Sequence, residues 1–107
     1  MRALIIYAVA ALLEIGGCFA VWAVLRRAAA PLWLLAAAAA LAGFAYLLAQ
    51  SEQSFAGRAF AAYGGVYVAA SLLWMWLVEQ NTPTRMDLLG AGVVLLGAWI
   101  IFSGGRA

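Results

Sequence analysis

Glu14 has the clearest capacity for chemistry in this sequence, because it is the only charged residue between positions 3 and 25. A carboxyl group in apolar surroundings prefers its neutral form, so we expect Glu14 to accept a proton that a cation can displace. The helical face that carries Glu14 is mostly small within two turns, and three of its residues are candidates to line a site: Ala10, Gly17 and Cys18. The alternative is a structural glutamic acid, permanently protonated and hydrogen-bonded between helices.

A second group of residues that could take part in binding shares one helical face. It consists of Phe60, Tyr63, Gly64, Tyr67, Ser71 and Trp74. Aromatic rings next to a carboxylate bind organic cations in a dry site. Tyr63 lies deep enough to hydrogen-bond Glu14, with Phe60 and Tyr67 on the same face. A purely structural role for Tyr63 is equally favoured, because a buried tyrosine hydroxyl needs a partner whatever the function. In the alternative interpretation, Tyr67 packs in the core and Trp74 belongs to the aromatic belt at the membrane surface; for Trp74 we favour this alternative.

The composition indicates that these residues lie in a membrane. Hydrophobic residues make up 69% of the chain and charged residues only 9%, which is unusual for a soluble domain. A helix needs about 20 apolar residues to cross the hydrocarbon core, and four segments approach that length: 3–25, 32–49, 59–78 and 88–103. We therefore predict an all-α membrane protein with four transmembrane helices in one domain over residues 1–107.

The arginines in the predicted connectors give no bias in orientation. Four spans place Arg2, Arg58 and Arg106 on one side and Arg26, Arg27 and Arg85 on the other. Because Lys and Arg in short loops orient membrane proteins, this balance favours insertion both ways up and pairing with an inverted copy. A small imbalance that still selects one orientation is the alternative.

The fourth predicted span carries a stripe of small residues. Gly90, Gly97 and Gly104 recur every seven residues, with Ala91 and Ala98 beside them. Helices in lipid associate by close backbone approach at such residues, so we predict an interface with an identical subunit on Gly90, Gly97 and Ala91. The alternative is that the stripe has no special role, because glycine is common in membrane helices, and that Gly104 simply lies at the end of the helix.

The remaining charged residues are predicted to lie at the rims of the bundle. Thr84 and Asp87 have the spacing of a helix capping box, and Glu79 is close enough in sequence to pair with Arg85. The chain has no histidine, no metal-ligand spacing, no phosphate-binding loop and no nucleophile paired with a base. We expect no enzymatic activity, no cofactor, no metal and no nucleic-acid partner.

Taken together, four spans in 107 residues, Glu14 followed by Gly17, and the pair Gly90 and Gly97 resemble the small multidrug resistance transporters over the full length. Residues 14–19 (EIGGCF) and 61–68 (AAYGGVYV) more closely resemble the YnfA-like family of small inner-membrane proteins.

This resemblance implies an antiparallel, dual-topology homodimer in the bacterial inner membrane, in which Glu14 of both subunits forms one shared site. Protons and a cationic, often aromatic, substrate would compete for that site. Tyr63 stands where the drug transporters have tryptophan, and Phe60 stands where they have tyrosine. Because Phe60 lacks the hydroxyl, Tyr63 or Tyr67 must supply it, and the substrate range of the drug transporters does not carry over directly.

Three classes of function remain open at the level of sequence. The favoured one is a proton-coupled exporter of organic cations with alternating access around Glu14; transport of a different small metabolite is a variant of it. A channel with a constant pore is disfavoured, because the spans offer few polar side chains to line it. The third class is a non-transporting scaffold or subunit in the lipid bilayer.

Overall fold

The structure, a computed structural model, describes the backbone of residues 2–106 and the side-chain surroundings of residues 2–104. Four helices account for most of it: α1 (Arg2–Arg26), α2 (Trp33–Leu48), α3 (Ala56–Leu77) and α4 (Arg85–Arg106). Each helix begins and ends within three residues of a predicted span. The predicted all-α fold class is confirmed, and no strand occurs among the residues with a described backbone.

Three of the helices, α1, α3 and α4, are long and apolar enough to cross a membrane. Helix α2 has 16 residues, which span only about 24 Å at 1.5 Å per residue, less than the ~30 Å of a hydrocarbon core. Hydrogen-bonded turns extend α2 at both ends, with Leu34 donating to Pro31 and Gln50 donating to Leu47. These turns lengthen the helical path through the apolar segment beyond the regular α-helix.

Helix α1 is central, since it packs against both α2 and α3, while α4 packs against α3. Residue numbers increase in the same direction along α1 and α3 at their contacts: Tyr7 packs against Tyr63, and Phe19 packs against Trp74. The two helices are therefore parallel, as alternate spans of an up-and-down bundle must be. This parallel packing brings the middle of α1 to the same depth as the first half of α3.

Small residues permit the close helix contacts. A Cβ atom at Gly17 would lie 2.9 Å from Cγ of Leu41, so glycine is needed where α1 meets α2. A Cβ atom at Gly65 would lie 2.5 Å from Cβ of Ala98, where α3 meets α4. Because real Cβ atoms do not approach this closely, both glycines set the spacing between neighbouring helices.

The predicted capping box at the start of α4 is confirmed. The backbone N–H of Asp87 donates to Oγ1 of Thr84 at 3.1 Å, and the backbone N–H of Thr84 donates to Oδ2 of Asp87 at 2.9 Å. These two bonds satisfy donors that a helix start leaves without partners. They explain why α4 begins directly after the Pro83-containing connector.

The predicted pairing of Glu79 with Arg85 is wrong. Oε1 of Glu79 instead lies 3.9 Å from Nη2 of Arg27. The physical reason is the parallel packing of α1 and α3, which brings the chain just beyond their C-terminal ends together. The Arg27 guanidinium also lies over the ring of Phe19, 5.4 Å from its centroid.

Helix α4 presents most of its surface away from the rest of the chain. A Cβ atom at Gly90 or Gly97 would meet nothing within 4 Å. Ala91 differs from these glycines, because it is buried within the chain, as is Ala98 one heptad later. The subunit interface remains a prediction, and within it Gly90 and Gly97 are the residues with open space around them.

Candidate functional site

Glu14 and Tyr63 are joined directly in the structure. The Tyr63 hydroxyl donates a hydrogen bond to Oε1 of Glu14 at 2.7 Å. The two residues are 49 positions apart, and the parallel contact between α1 and α3 brings them to one depth. Tyr63 is 5% exposed, whereas Glu14 is half-buried. The bond therefore anchors one carboxyl oxygen of a side chain that still reaches open space.

Tyr63 is held in place by three other rings. The ring of Tyr67 stacks on it with an interplanar angle of 9° and a centroid distance of 6.0 Å. Tyr7 meets it edge-on at 5.9 Å, and Phe44 packs against it at 5.6 Å. Offset and edge-on ring pairs stabilise packing beyond their buried area, so the hydroxyl that bonds Glu14 has a fixed position.

A cleft of about 740 Å³ opens next to this cluster. It lies between α2 and α3, with α1 contributing Glu14, and its aromatic lining consists of Phe44, Phe60, Tyr63 and Tyr67. Phe60 is 56% exposed, which leaves much of its ring accessible. A carboxyl group with aromatic rings around it is suited to binding an organic cation, because the negative faces of the rings attract positive charge.

The outer end of the cleft is polar and uncharged. Ser51, Gln53 and Ser54 line it, all in the connector between α2 and α3. The hydroxyls of Tyr7 and Ser51 lie 2.8 Å apart in a hydrogen bond, and the backbone N–H of Gln53 donates to the same Ser51 oxygen at 3.4 Å. These bonds attach the connector to α1. The buried Oε1 atom of Gln53 has no hydrogen-bond partner.

A second, smaller cavity of about 260 Å³ lies toward the opposite end of the bundle. Its lining runs from Ile15 and Cys18 to Trp74 and Glu79, and it includes Tyr67. Tyr67 therefore borders both cavities. The two spaces approach the level of Glu14 from opposite ends of the helices.

Four of the predicted site residues come together at the larger cleft: Glu14, Phe60, Tyr63 and Tyr67. Cys18 lines the second cavity instead. Ala10 is fully buried, and Gly17 is packed against Leu41 and Ala37 of α2, and neither lines either of these two cavities. Their small size permits close helix packing. In the sequence, a small residue on a helical face can indicate either such a contact or an open cavity, and the two cannot be told apart.

Sequence reasoning did not assign Tyr7, Phe44, Ser51 and Gln53 to the site. Tyr7 carried a signal, because it lies two turns before Glu14 on the same face of α1. Phe44 lies in α2, which is apolar on all sides, so its sequence does not indicate which face lines a site. Ser51 and Gln53 lie in the connector between α2 and α3. Their role depends on how that connector folds back over the bundle.

The site offers a carboxyl group and hydroxyls rather than a metal-binding set. Among the described residues, no three His, Cys, Asp or Glu side chains lie close enough together to hold a metal ion. The chemistry available to the cleft is proton exchange at Glu14 and binding of a cation against aromatic faces.

The helices and the half-buried carboxyl define this chain as a small multi-pass membrane protein with an internal polar site. Residues 1–107 match the family described as "Uncharacterised BCR, YnfA/UPF0060 family". The chain belongs to this family, which confirms the membership predicted from residues 14–19 and 61–68. No solved structure matches the chain significantly.

Proposed function

We propose that this protein is a proton-coupled exporter of organic cations, in which Glu14 binds either a proton or the substrate and is reached alternately from the two sides of the membrane. The observation that carries the proposal is the hydrogen bond from Tyr63 to Glu14 at the wall of an aromatic cleft of about 740 Å³. A carboxyl group in a membrane helix is costly and usually belongs to an ion or substrate path.

The aromatic surroundings favour an organic cation over an inorganic one. Oxygen ligands suit small hard cations such as Mg²⁺ and Ca²⁺, but the cleft supplies mainly aromatic and aliphatic surface around one carboxyl group. An organic cation gains from the ring faces and from the burial of its own apolar surface. The second cavity, which shares Tyr67 with the cleft, supports access from the other side.

We further propose that the working unit is an antiparallel, dual-topology homodimer in the bacterial inner membrane. The balance of three arginines on each side supports insertion in both orientations. The bundle is only 20 Å across in its shortest dimension, about two helix diameters, so one chain does not enclose a substrate.

The test is proton release from purified protein in detergent on addition of tetraphenylphosphonium, an aromatic monocation, measured over a range of pH. We expect release from the wild type and none from Glu14→Gln, since the amide has no proton to exchange for a cation. Glu52→Gln is the matched control, because Glu52 is exposed and lies outside the cleft, and it should behave as the wild type does.

Release that persists in Glu14→Gln would overturn the role of Glu14. If folded wild-type protein releases no proton and binds none of a panel of organic cations, the exporter proposal fails. Transport of a different small metabolite and a non-transporting scaffold would then be the functions left to consider. For a scaffold, Glu14→Gln should leave assembly unchanged.

A further inference from the structure

The outer end of the Glu14 cleft contains a polar atom that the fold leaves without a partner. Oε1 of Gln53 is buried and accepts no hydrogen bond, although Gln53 lines the cleft. A buried acceptor without a partner carries an uncompensated desolvation cost. Because other atoms of the Gln53 side chain border the cleft, an occupant can supply the missing donor once the amide turns toward the open space.

We propose that Gln53 forms a second subsite of the cleft, which accepts a hydrogen bond from a neutral N–H or O–H group of the transported cation. This inference rests on the proposed function and specifies the substrate class of the same site. The terminal torsion of a glutamine side chain is broad, so a small rotation turns Oε1 toward the space that the side chain already borders.

The connector that carries Gln53 has a defined position. Ser51 is bonded to the buried hydroxyl of Tyr7 and also accepts from the backbone N–H of Gln53. Tyr7 is 3% exposed and packs edge-on against Tyr63. The subsite is therefore attached through Tyr7 to the same aromatic cluster that holds the carboxyl group.

The helix rise between Tyr7 and Glu14 gives an approximate length for the ligand. Tyr7 precedes Glu14 by seven residues on one helix, a rise of about 10 Å. The residues that line the outer end are uncharged, so the distal group is a neutral donor rather than a second ammonium. The substrate class is an elongated organic monocation with a hydroxyl or amide N–H about 10 Å from its charge.

The test uses two alkyltriphenylphosphonium probes of equal chain length, one ending in a hydroxyl about 10 Å from phosphorus and the other ending in a methyl group. Their dissociation constants are measured by calorimetry in detergent, with Glu14→Gln as the background for micelle partitioning. We expect the wild type to bind the hydroxyl probe about fivefold more tightly, the usual effect of one neutral hydrogen bond.

In Gln53→Leu this preference should disappear, so that the hydroxyl-ended and methyl-ended probes bind with equal dissociation constants. Gln50→Leu is the matched control, because Gln50 lies in the same connector but outside the cleft, and it should retain the preference. The circular dichroism spectrum of Gln53→Leu, compared with that of the wild type, checks that the variant is folded.

The outcomes separate this inference from the proposed function. If both probes bind through Glu14 without a preference, or if Gln53→Leu keeps the preference, the Gln53 subsite is overturned and the exporter proposal stands. If neither probe binds to folded wild-type protein, the Gln53 subsite is overturned, and the exporter proposal is decided separately by proton release and the panel of organic cations.

Discussion

At the scale of single residues, the site depends on one hydrogen bond between helices. Tyr63 combines two properties that its position requires: a ring that packs against three other aromatic side chains and a hydroxyl that reaches Glu14. Hydrogen bonds to charged groups contribute about 1.5–3 kcal/mol, roughly twice as much as neutral ones. The carboxylate that would receive a cation is therefore preorganised by Tyr63.

Replacement of Tyr63 by phenylalanine tests this preorganisation. We expect Tyr63→Phe to weaken binding of tetraphenylphosphonium about tenfold, because the deprotonated carboxylate loses its donor while the ring packing is kept. The measurement is the dissociation constant in detergent. Tyr7→Phe is the control, because it removes a hydroxyl that bonds Ser51 rather than Glu14. The affinity of this variant should stay within about twofold of that of the wild type, since it loses one neutral hydrogen bond away from the carboxyl group. Equal effects of the two substitutions would contradict the special role of Tyr63.

At the scale of helices, the spacing of neighbouring elements depends on small residues at defined positions. Gly17 sets the contact of α1 with α2, and Gly65 sets the contact of α3 with α4. Because α3 carries Tyr63 and Tyr67 on one side and meets α4 on another, its packing against α4 holds the aromatic wall of the cleft in place. In lipid, small residues let helix backbones approach closely, and the resulting van der Waals packing contributes to helix association.

The adjacent glycines of α3 provide a matched pair of substitutions. In Gly65→Ala the new methyl group would lie 2.5 Å from Cβ of Ala98, so α4 must move, and we expect the free energy of unfolding to fall by about 1–3 kcal/mol. In Gly64→Ala the methyl group meets nothing within 4 Å, and stability should stay the same or rise slightly, since alanine favours helix. Denaturation in detergent, followed by circular dichroism, measures both. A Gly65→Ala protein as stable as Gly64→Ala would show that α3 and α4 do not pack closely at Gly65.

For the molecule as a whole, a single chain leaves an apolar face of α4 uncovered and the cleft at Glu14 open on one side. The glycine face of α4 has open space at Gly90 and Gly97. The bundle measures 47 × 34 × 20 Å, thin in one direction, and the larger cleft is open between α2 and α3. These features support the proposed association of two chains through α4.

Bulky residues on the glycine face should prevent this association without unfolding the chain. We expect the double substitution Gly90→Leu and Gly97→Leu to convert dimers to monomers in mild detergent, as measured by light scattering. Helix content should be unchanged, since a Cβ atom at either position meets nothing within 4 Å in the rest of the chain. Gly92→Leu is the control, because Gly92 is also open but lies on another face of α4. Dimers that survive the double substitution, or are lost equally in Gly92→Leu, would place the interface elsewhere.

The membrane class and the four helices, to within three residues at each end, were predictable from the sequence alone, and Tyr63 could be placed at the depth of Glu14. These features follow from apolar run length and helical periodicity, which are local properties of the chain. The capping box at Thr84 and Asp87 was likewise readable, because both of its partners lie within one turn.

The three-dimensional packing was needed to show which small residues are packing contacts and which border open space. It buried Ala10, Ala91 and Gly17, paired Glu79 with Arg27 rather than Arg85, and brought the connector residue Gln53 to the cleft. These outcomes depend on helix rotation and on contacts between segments distant in sequence. Periodicity within one helix defines a face, but the neighbour that covers that face is chosen by the packing of the whole bundle.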